Sequence, residues 1–225
     1  MAAGLEDFER LLQQRYSCRG FLARPVARAT IERILEAAQR TPSWCNAQPW
    51  QVHIASGAAT ERLRAALRAH VPSNKAEPEW PFPREYRGVY LARRRECGFQ
   101  LYDAVGIARG DREASARQGM ENYSLFGAPH VLIVTTEEAL GVYGVLDCGA
   151  WVNNFMLAAA AAGVACIAQA ALAAHPKPLR EFFSIAADRR IVCGISFGYE
   201  DARHPANKFR TRRAGTQDVA AWVEN

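Results

Sequence analysis

The chain has 225 residues, 49% hydrophobic and 23% charged, values that indicate one globular unit with a sizeable core and exclude wholesale disorder. Its net charge of +5 favours anionic ligands, but the Lys and Arg residues are dispersed without a long basic block, which argues against nucleic acid as a partner. Six cysteines and five histidines form no C-x-x-C pair or metal-type grouping, and Met1 to Arg15 has no apolar stretch of secretory length, so a metal-free cytoplasmic protein with reduced thiols is expected.

Leu5 to Gln14 reads as a helix, with Leu5, Phe8, Leu11 and Leu12 at helical spacing. Ser17 to Arg24 looks extended and stops at Pro25. Thr30 is expected to cap or begin the next helix, in which Ile31, Ile34, Leu35 and Ala38 recur with a helical period until Pro42. Trp50 to Ile54 alternates like a strand. Thr60 to His70 is helical in composition, and Val71 to Pro83 is irregular and Pro-rich. A basic, aromatic helix follows from Tyr86 to Gly98, extending towards Ile107, with another over Asp111 to Tyr123.

His130 to Thr136 reads as a buried strand. The most apolar stretch, Val145 to Ala162, carries Asp147, Asn153 and Asn154, which are costly in lipid, so it reads as a buried helix ended by Gly163 and no membrane span is expected. Those polar groups are read as satisfied at a helix or dimer interface, and Cys97 and Cys148 as small core residues. Val164 to Ala168 and Ile191 to Phe197 are further strands, Pro178 to Phe183 a short helix, and Asp218 to Trp222 a last helical turn in a basic tail. Strands alternating with helices imply a mixed α/β or α+β architecture in which helices cover a sheet.

Two segments carry the chemistry. In Arg15-Tyr16-Ser17-Cys18-Arg19 an extended backbone puts Arg15, Ser17 and Arg19 on one side, about 7 Å apart per step, where guanidinium forks and a hydroxyl suit a phosphate. The alternative is an exposed edge of solvated arginines. Pro42-Ser43-Trp44-Cys45-Asn46-Ala47-Gln48-Pro49-Trp50 gathers amide and hydroxyl groups that suit the uracil-like edge of an isoalloxazine. A turn whose polar side chains satisfy their own backbone is the alternative there, and Trp50 reads as a core anchor. With no Gly-x-Gly-x-x-Gly turn or Walker-type loop, side chains must hold the phosphate.

Arg-x-Ser-x-Arg followed by Pro-Ser-x-x-Asn-x-Gln-Pro-Trp resembles the FMN-dependent nitroreductase superfamily, of the oxygen-insensitive nitroreductase kind. Gly127-Ala128-Pro129, Gly194 to Tyr199 and Pro205 to Arg213 extend the resemblance over nearly the whole chain. It implies an α+β fold with a central, mostly antiparallel sheet covered by helices, built as an intertwined homodimer with FMN sites at the subunit interface. It further implies one domain over 1–225, with 71–111 as a helical lid or insertion and 199–225 as a C-terminal arm.

By position, the resemblance places Arg15, Ser17 and Arg213 on the FMN phosphate and Arg19 on the pyrimidine side, where it would tune the reduced flavin. Ser43, Asn46 and Gln48 fall at the ribityl chain and ring, and Asn122 at the ring edge. Gln169 and Ala170 stand where the backbone meets flavin N5, in place of the acidic residue and glycine of many members. Tyr16, Trp44, Cys45 and Arg210 complete the expected contacts.

No catalytic acid or nucleophile is required. The implied activity is NAD(P)H-dependent, ping-pong hydride transfer through flavin N5 to a small aromatic acceptor such as a nitroaromatic or quinone. Reductive dehalogenation, ene-type reduction and a low-turnover redox sensor are the alternatives.

Overall fold

The computed structural model describes residues 4–224; Met1 to Ala3 and Asn225, the ends of the expected single unit, lie outside it. Strands β1 (Gln51–Ser56), β2 (His130–Glu137), β3 (Ala165–Gln169) and β4 (Arg189–Gly198) form one sheet in the order β1-β2-β4-β3, every pair antiparallel. Helices are α1 (Leu5–Gln14), α2 (Arg28–Ala38), α3 (Ala58–His70), α4 (Gly88–Ala104), α5 (Arg112–Met120), α6 (Gly141–Ala161), α7 (Ala170–Ala173) and α8 (Pro176–Phe183).

Central strand β2 explains the layering. Successive side chains of a strand point to opposite faces. Leu132 and Val134 pack with Ile34 of α2 and with Trp151 and Phe155 of α6, while Val131 and Ile133 pack with Leu63 and Leu67 of α3 and Leu179 of α8. A strand covered on both faces needs an unbroken apolar run, and every residue of β2 except Glu137 is buried. The β2–β4 register slips between Val134 and Thr135, a bulge that leaves Val192 as the extra residue.

Several expectations change. The second helix begins at Arg28, before Thr30, and its N-terminus has no side-chain cap. The long apolar helix starts at Gly141 rather than Val145 and buries one side through Trp151, Val152 and Phe155. Ser17 to Arg24 is not a continuous strand. It meets strand β3 at one isolated bridge, Ser17 with Cys166, and forms a second, Phe21 with Glu200, just beyond the end of β4. The turn expected over Asp218 to Trp222 is instead a single 3-10 turn at Thr216–Asp218, and Trp222 beyond it is 86% exposed with no surface to pack on. Helices α1 and α4 bury no residue within the chain. No helix among the described residues is long and apolar enough to cross a membrane.

Candidate functional site

A cavity of about 640 Å³ opens where the N-terminal segment meets the tail. Arg15, Tyr16, Ser17 and Arg19 line it from one end of the chain, and Phe209, Arg210, Thr211 and Arg213 from the other. Cys97 of α4 and Asn153 of α6 close its sides. No Asp or Glu lines the cavity, and among the described residues none of its four arginines forms an ion pair. By contrast, Arg212 is bound to Glu96 at 2.7 Å and Arg180 to Glu79 at 2.5 Å. Uncompensated guanidinium groups facing one hollow constitute an anion site.

The two chain ends are stapled together by Asn207, which is buried. Its Oδ1 accepts the Arg19 N–H at 2.7 Å, and its Nδ2 donates to Gly20 O at 2.8 Å and Asp201 O at 3.0 Å. Gly20 permits the approach: a Cβ there would lie 2.2 Å from His204 Cγ. The Arg19 guanidinium donates to Ser17 O at 3.2 Å, and burial lowers its pKa without removing the charge of an arginine. Arg210 lies 3.6 Å from the centre of the Tyr16 ring and donates to Asn207 O at 2.7 Å, so an aromatic face and a backbone carbonyl set its direction. Arg213 donates to Thr211 Oγ1 at 2.9 Å. Burial raises the Tyr16 phenol far above its ordinary range, keeping it neutral.

The Pro42 to Trp50 loop does not line this cavity in its own chain. It runs from the end of α2 to β1, with Cys45, Asn46 and Gln48 at φ of 49°, 54° and 48°. Such left-handed residues persist only where the surroundings hold them. Here Ser43 Oγ accepts from Gln48 N at 2.9 Å, and Asp147 Oδ2 of α6 accepts from Trp44 N at 3.1 Å. The Trp44 ring packs on Tyr143 with centroids 5.1 Å apart, yet stays 65% exposed, and Cys45 beside it is exposed as well. Arg189 ties the loop's far end to the sheet by donating to Pro49 O at 2.8 Å and Thr135 O at 2.7 Å.

Gln169 and Asn122 are neighbours, again outside the cavity. Gln169 Nε2 donates to Asn122 O at 2.9 Å and its Oε1 accepts from Ser196 Oγ at 2.5 Å. The Gln169 side chain is thereby turned inward, while Ala170 is exposed at the start of α7. Of the residues expected from the sequence, Arg15, Tyr16, Ser17, Arg19, Arg210 and Arg213 share one cavity within one chain. Ser43, Trp44, Cys45, Asn46, Gln48, Asn122, Gln169 and Ala170 do not.

Cys97, expected in the core, is half-buried and lines the cavity instead. Asp147 and Asn154 are satisfied within the chain, by Trp44 N and by Thr41 Oγ1 at 2.8 Å. Gln39, Asn207 and Phe209 carried no sequence signal as site residues; the Asn207 bonds across 188 positions exist only once the fold is formed.

The Nitroreductase family profile matches residues 12–199. The chain belongs to the nitroreductase family. Among its curated relatives, the 4-nitrobenzoate reductase of Pseudomonas putida is 31% identical over 223 residues, covering 99% of this chain and 98% of that protein. Nitroreductase NfnB of Mycolicibacterium smegmatis is 34% identical over 216 residues, covering 95% and 92%. The crystal structure of the FMN-dependent nitroreductase NfnB from Mycobacterium smegmatis in complex with NADPH superposes with a TM-score of 0.93 at 31% identity, over 98% of this chain and 99% of that one.

Proposed function

We propose that this family member is a cytoplasmic, homodimeric, FMN-dependent NAD(P)H oxidoreductase that reduces nitroaromatic or quinone-like acceptors. The observation that carries the reading is the cavity whose four arginines have no ion pair, and which has no carboxylate in its lining, among the described residues; its donors fit a phosphate and its Tyr16 and Phe209 rings offer aromatic surface. When bound, FMN supplies two-electron hydride chemistry between the nicotinamide and the acceptor. The relatives' names, with FMN, NADPH and nitrobenzoate among them, support that assignment.

In this reading Arg15, Ser17 and Arg213 hold the phosphate, with Arg210 directed at it by Tyr16 and the Asn207 carbonyl. Arg19 holds a fixed positive charge beside the ring, which favours the reduced form. The half of the site made by Ser43 to Gln48 comes from a second copy of the chain. Unpartnered apolar surface supports this: Leu5 and Phe8 of α1 are 71% and 48% exposed, Val142 and Leu146 of α6 are 72% and 64%, and Val223 of the tail is 94%. The segment 71–111 acts as a lid: α4 buries nothing in its own chain yet places Cys97 in the cavity wall. Six free thiols support a reducing compartment.

The test is anaerobic mixing of purified yellow protein with NADPH or NADH. Bleaching followed by recovery of colour on adding 4-nitrobenzoate supports the reading. Colourless protein after incubation with FMN contradicts it.

A further inference from the structure

The indole N–H of Trp50 can give a hydrogen bond but cannot accept one. It donates to Gln39 Oε1 at 2.9 Å, and that fixes which end of the Gln39 amide faces inward. Gln39 Nε2 then donates to Gln48 Oε1 at 3.0 Å, and Gln48 Nε2 donates to Asn46 Oδ1 at 3.2 Å and to the Asn46 carbonyl at 3.3 Å, an acceptor that favours the same orientation of the Gln48 amide. Each amide has one acceptor end and one donor end, so the polarity set by the indole passes through three side chains. At the end of the series, Asn46 has its oxygen occupied and turns its NH₂ outward, where it has no partner among the described residues.

We propose that Trp50, acting through Gln39, is a positioning residue that sets the hydrogen-bond polarity of the loop and makes Asn46 a donor to an acceptor atom of the flavin, a carbonyl or a ring nitrogen. The inference rests on the FMN reading above. Flavin's pyrimidine edge carries both acceptors and an N–H, so a loop of fixed polarity selects one register of the ring over its neighbours. Trp50 is buried beneath the loop, and Gln39 sits exposed at the end of α2, so changes at Gln39 leave the core intact.

The experiment compares wild type, Gln39→Glu and Gln39→Leu. FMN affinity is titrated by flavin fluorescence near pH 8, where the exposed carboxylate of Gln39→Glu is ionised. In Gln39→Glu the carboxylate accepts from Trp50 but gives nothing to Gln48, whose Oε1 then faces a negative charge, so Gln48 either swings away or reverses and gives up its bonds to Asn46. Binding by Gln39→Glu is expected about fivefold weaker than wild type. Gln39→Leu is expected about fivefold weaker as well.

Gln39→Glu or Gln39→Leu that binds FMN as tightly as wild type overturns the proposal. A second readout needs no flavin: the Trp50 indole amide resonance of the apoprotein should shift upfield in Gln39→Leu and stay near its wild-type position in Gln39→Glu. An indole resonance unmoved in Gln39→Leu overturns the relay whether or not FMN binds, whereas a shifted resonance in a protein that ignores FMN upholds its first link, Trp50 to Gln39, and defeats the cofactor reading.

Discussion

Asn207 Oδ1 accepts the backbone N–H of Arg19 at 2.7 Å, joining residues 188 positions apart in the chain. The bond is short, partly buried and shared with Gly20 through the same amide, so it ties the tail to the N-terminal arginine segment. Asn207→Ala strands the Arg19 N–H without a partner, at a cost of about 1–3 kcal/mol, while the Gly20 carbonyl keeps the Asp201 N–H at 2.9 Å. The expected outcome, by urea denaturation and FMN titration, is lower stability together with roughly tenfold weaker FMN binding. Asn207→Asp should recover the acceptor but not the donor, and fall between.

A second staple holds the segment entering α4. Arg180 donates to Glu79 Oε1 at 2.5 Å, and Glu79 Oε2 accepts the Ile191 N–H at 2.6 Å, beside the β4 bulge. Both side chains are mostly buried, at 23% and 12% exposure. Removing either partner leaves a charge poorly solvated, so Glu79→Ala should cost about 3 kcal/mol in chemical denaturation. The expected loss is greater than for truncating Glu32, whose pair with Arg28 lies on the surface.

Much of this was legible in the sequence. The bounds of α1 follow from its apolar spacing, and the unbroken apolar run of β2 marked a strand covered on both faces. Local chemistry also marked the two ligand-suited segments. The rest depends on contacts that no local pattern encodes. Among the tail cations, Arg212 is removed from the cavity by Glu96 on α4, while Lys208 is exposed outside it. Cys97 looked like core because a free cysteine behaves as a small hydrophobe, yet α4 buries no residue within one chain. Gln39 gave no signal because an amide in the last turn of a helix is ordinary; only the approach of Trp50 and Gln48 gives it a role.

Histidine titration should govern acid stability. His130 Nε2 accepts the Val26 N–H at 2.9 Å and its Nδ1 meets Ser56 Oγ at 2.9 Å, an arrangement that requires a neutral ring. Burial lowers the His130 pKa, and burial likewise lowers those of His53 and His175. A histidine depressed in the fold binds fewer protons folded than unfolded. Its stabilising contribution is therefore full above the unfolded value of about 6.5 and is lost as pH falls below it. Urea midpoints should be flat from about pH 8 to about pH 7 and decline towards about pH 5, with a shallower decline in His130→Gln.

Thiol chemistry provides a footprint of the cavity. Burial pushes Cys18 up to about 11 and Cys148, Cys166 and Cys193 up to about 12, so all four should resist a thiol reagent until the protein unfolds. Cys45 is exposed and Cys97 lines the cavity. Peptide mapping after brief labelling should find Cys45 and Cys97 modified, and saturating FMN should suppress Cys97. Labelling of Cys97 that FMN leaves unchanged would separate the cavity from the cofactor.

The phosphate is what the four cavity arginines would recognise, and riboflavin differs from FMN by that group alone. Dissociation constants for FMN and riboflavin, measured side by side on wild type and Arg15→Ala, therefore test the account most directly. Wild type should bind FMN at least about a hundredfold more tightly than riboflavin, and Arg15→Ala should lose roughly tenfold or more of that preference while binding riboflavin unchanged. Equal affinity of the wild-type protein for the two flavins would contradict it.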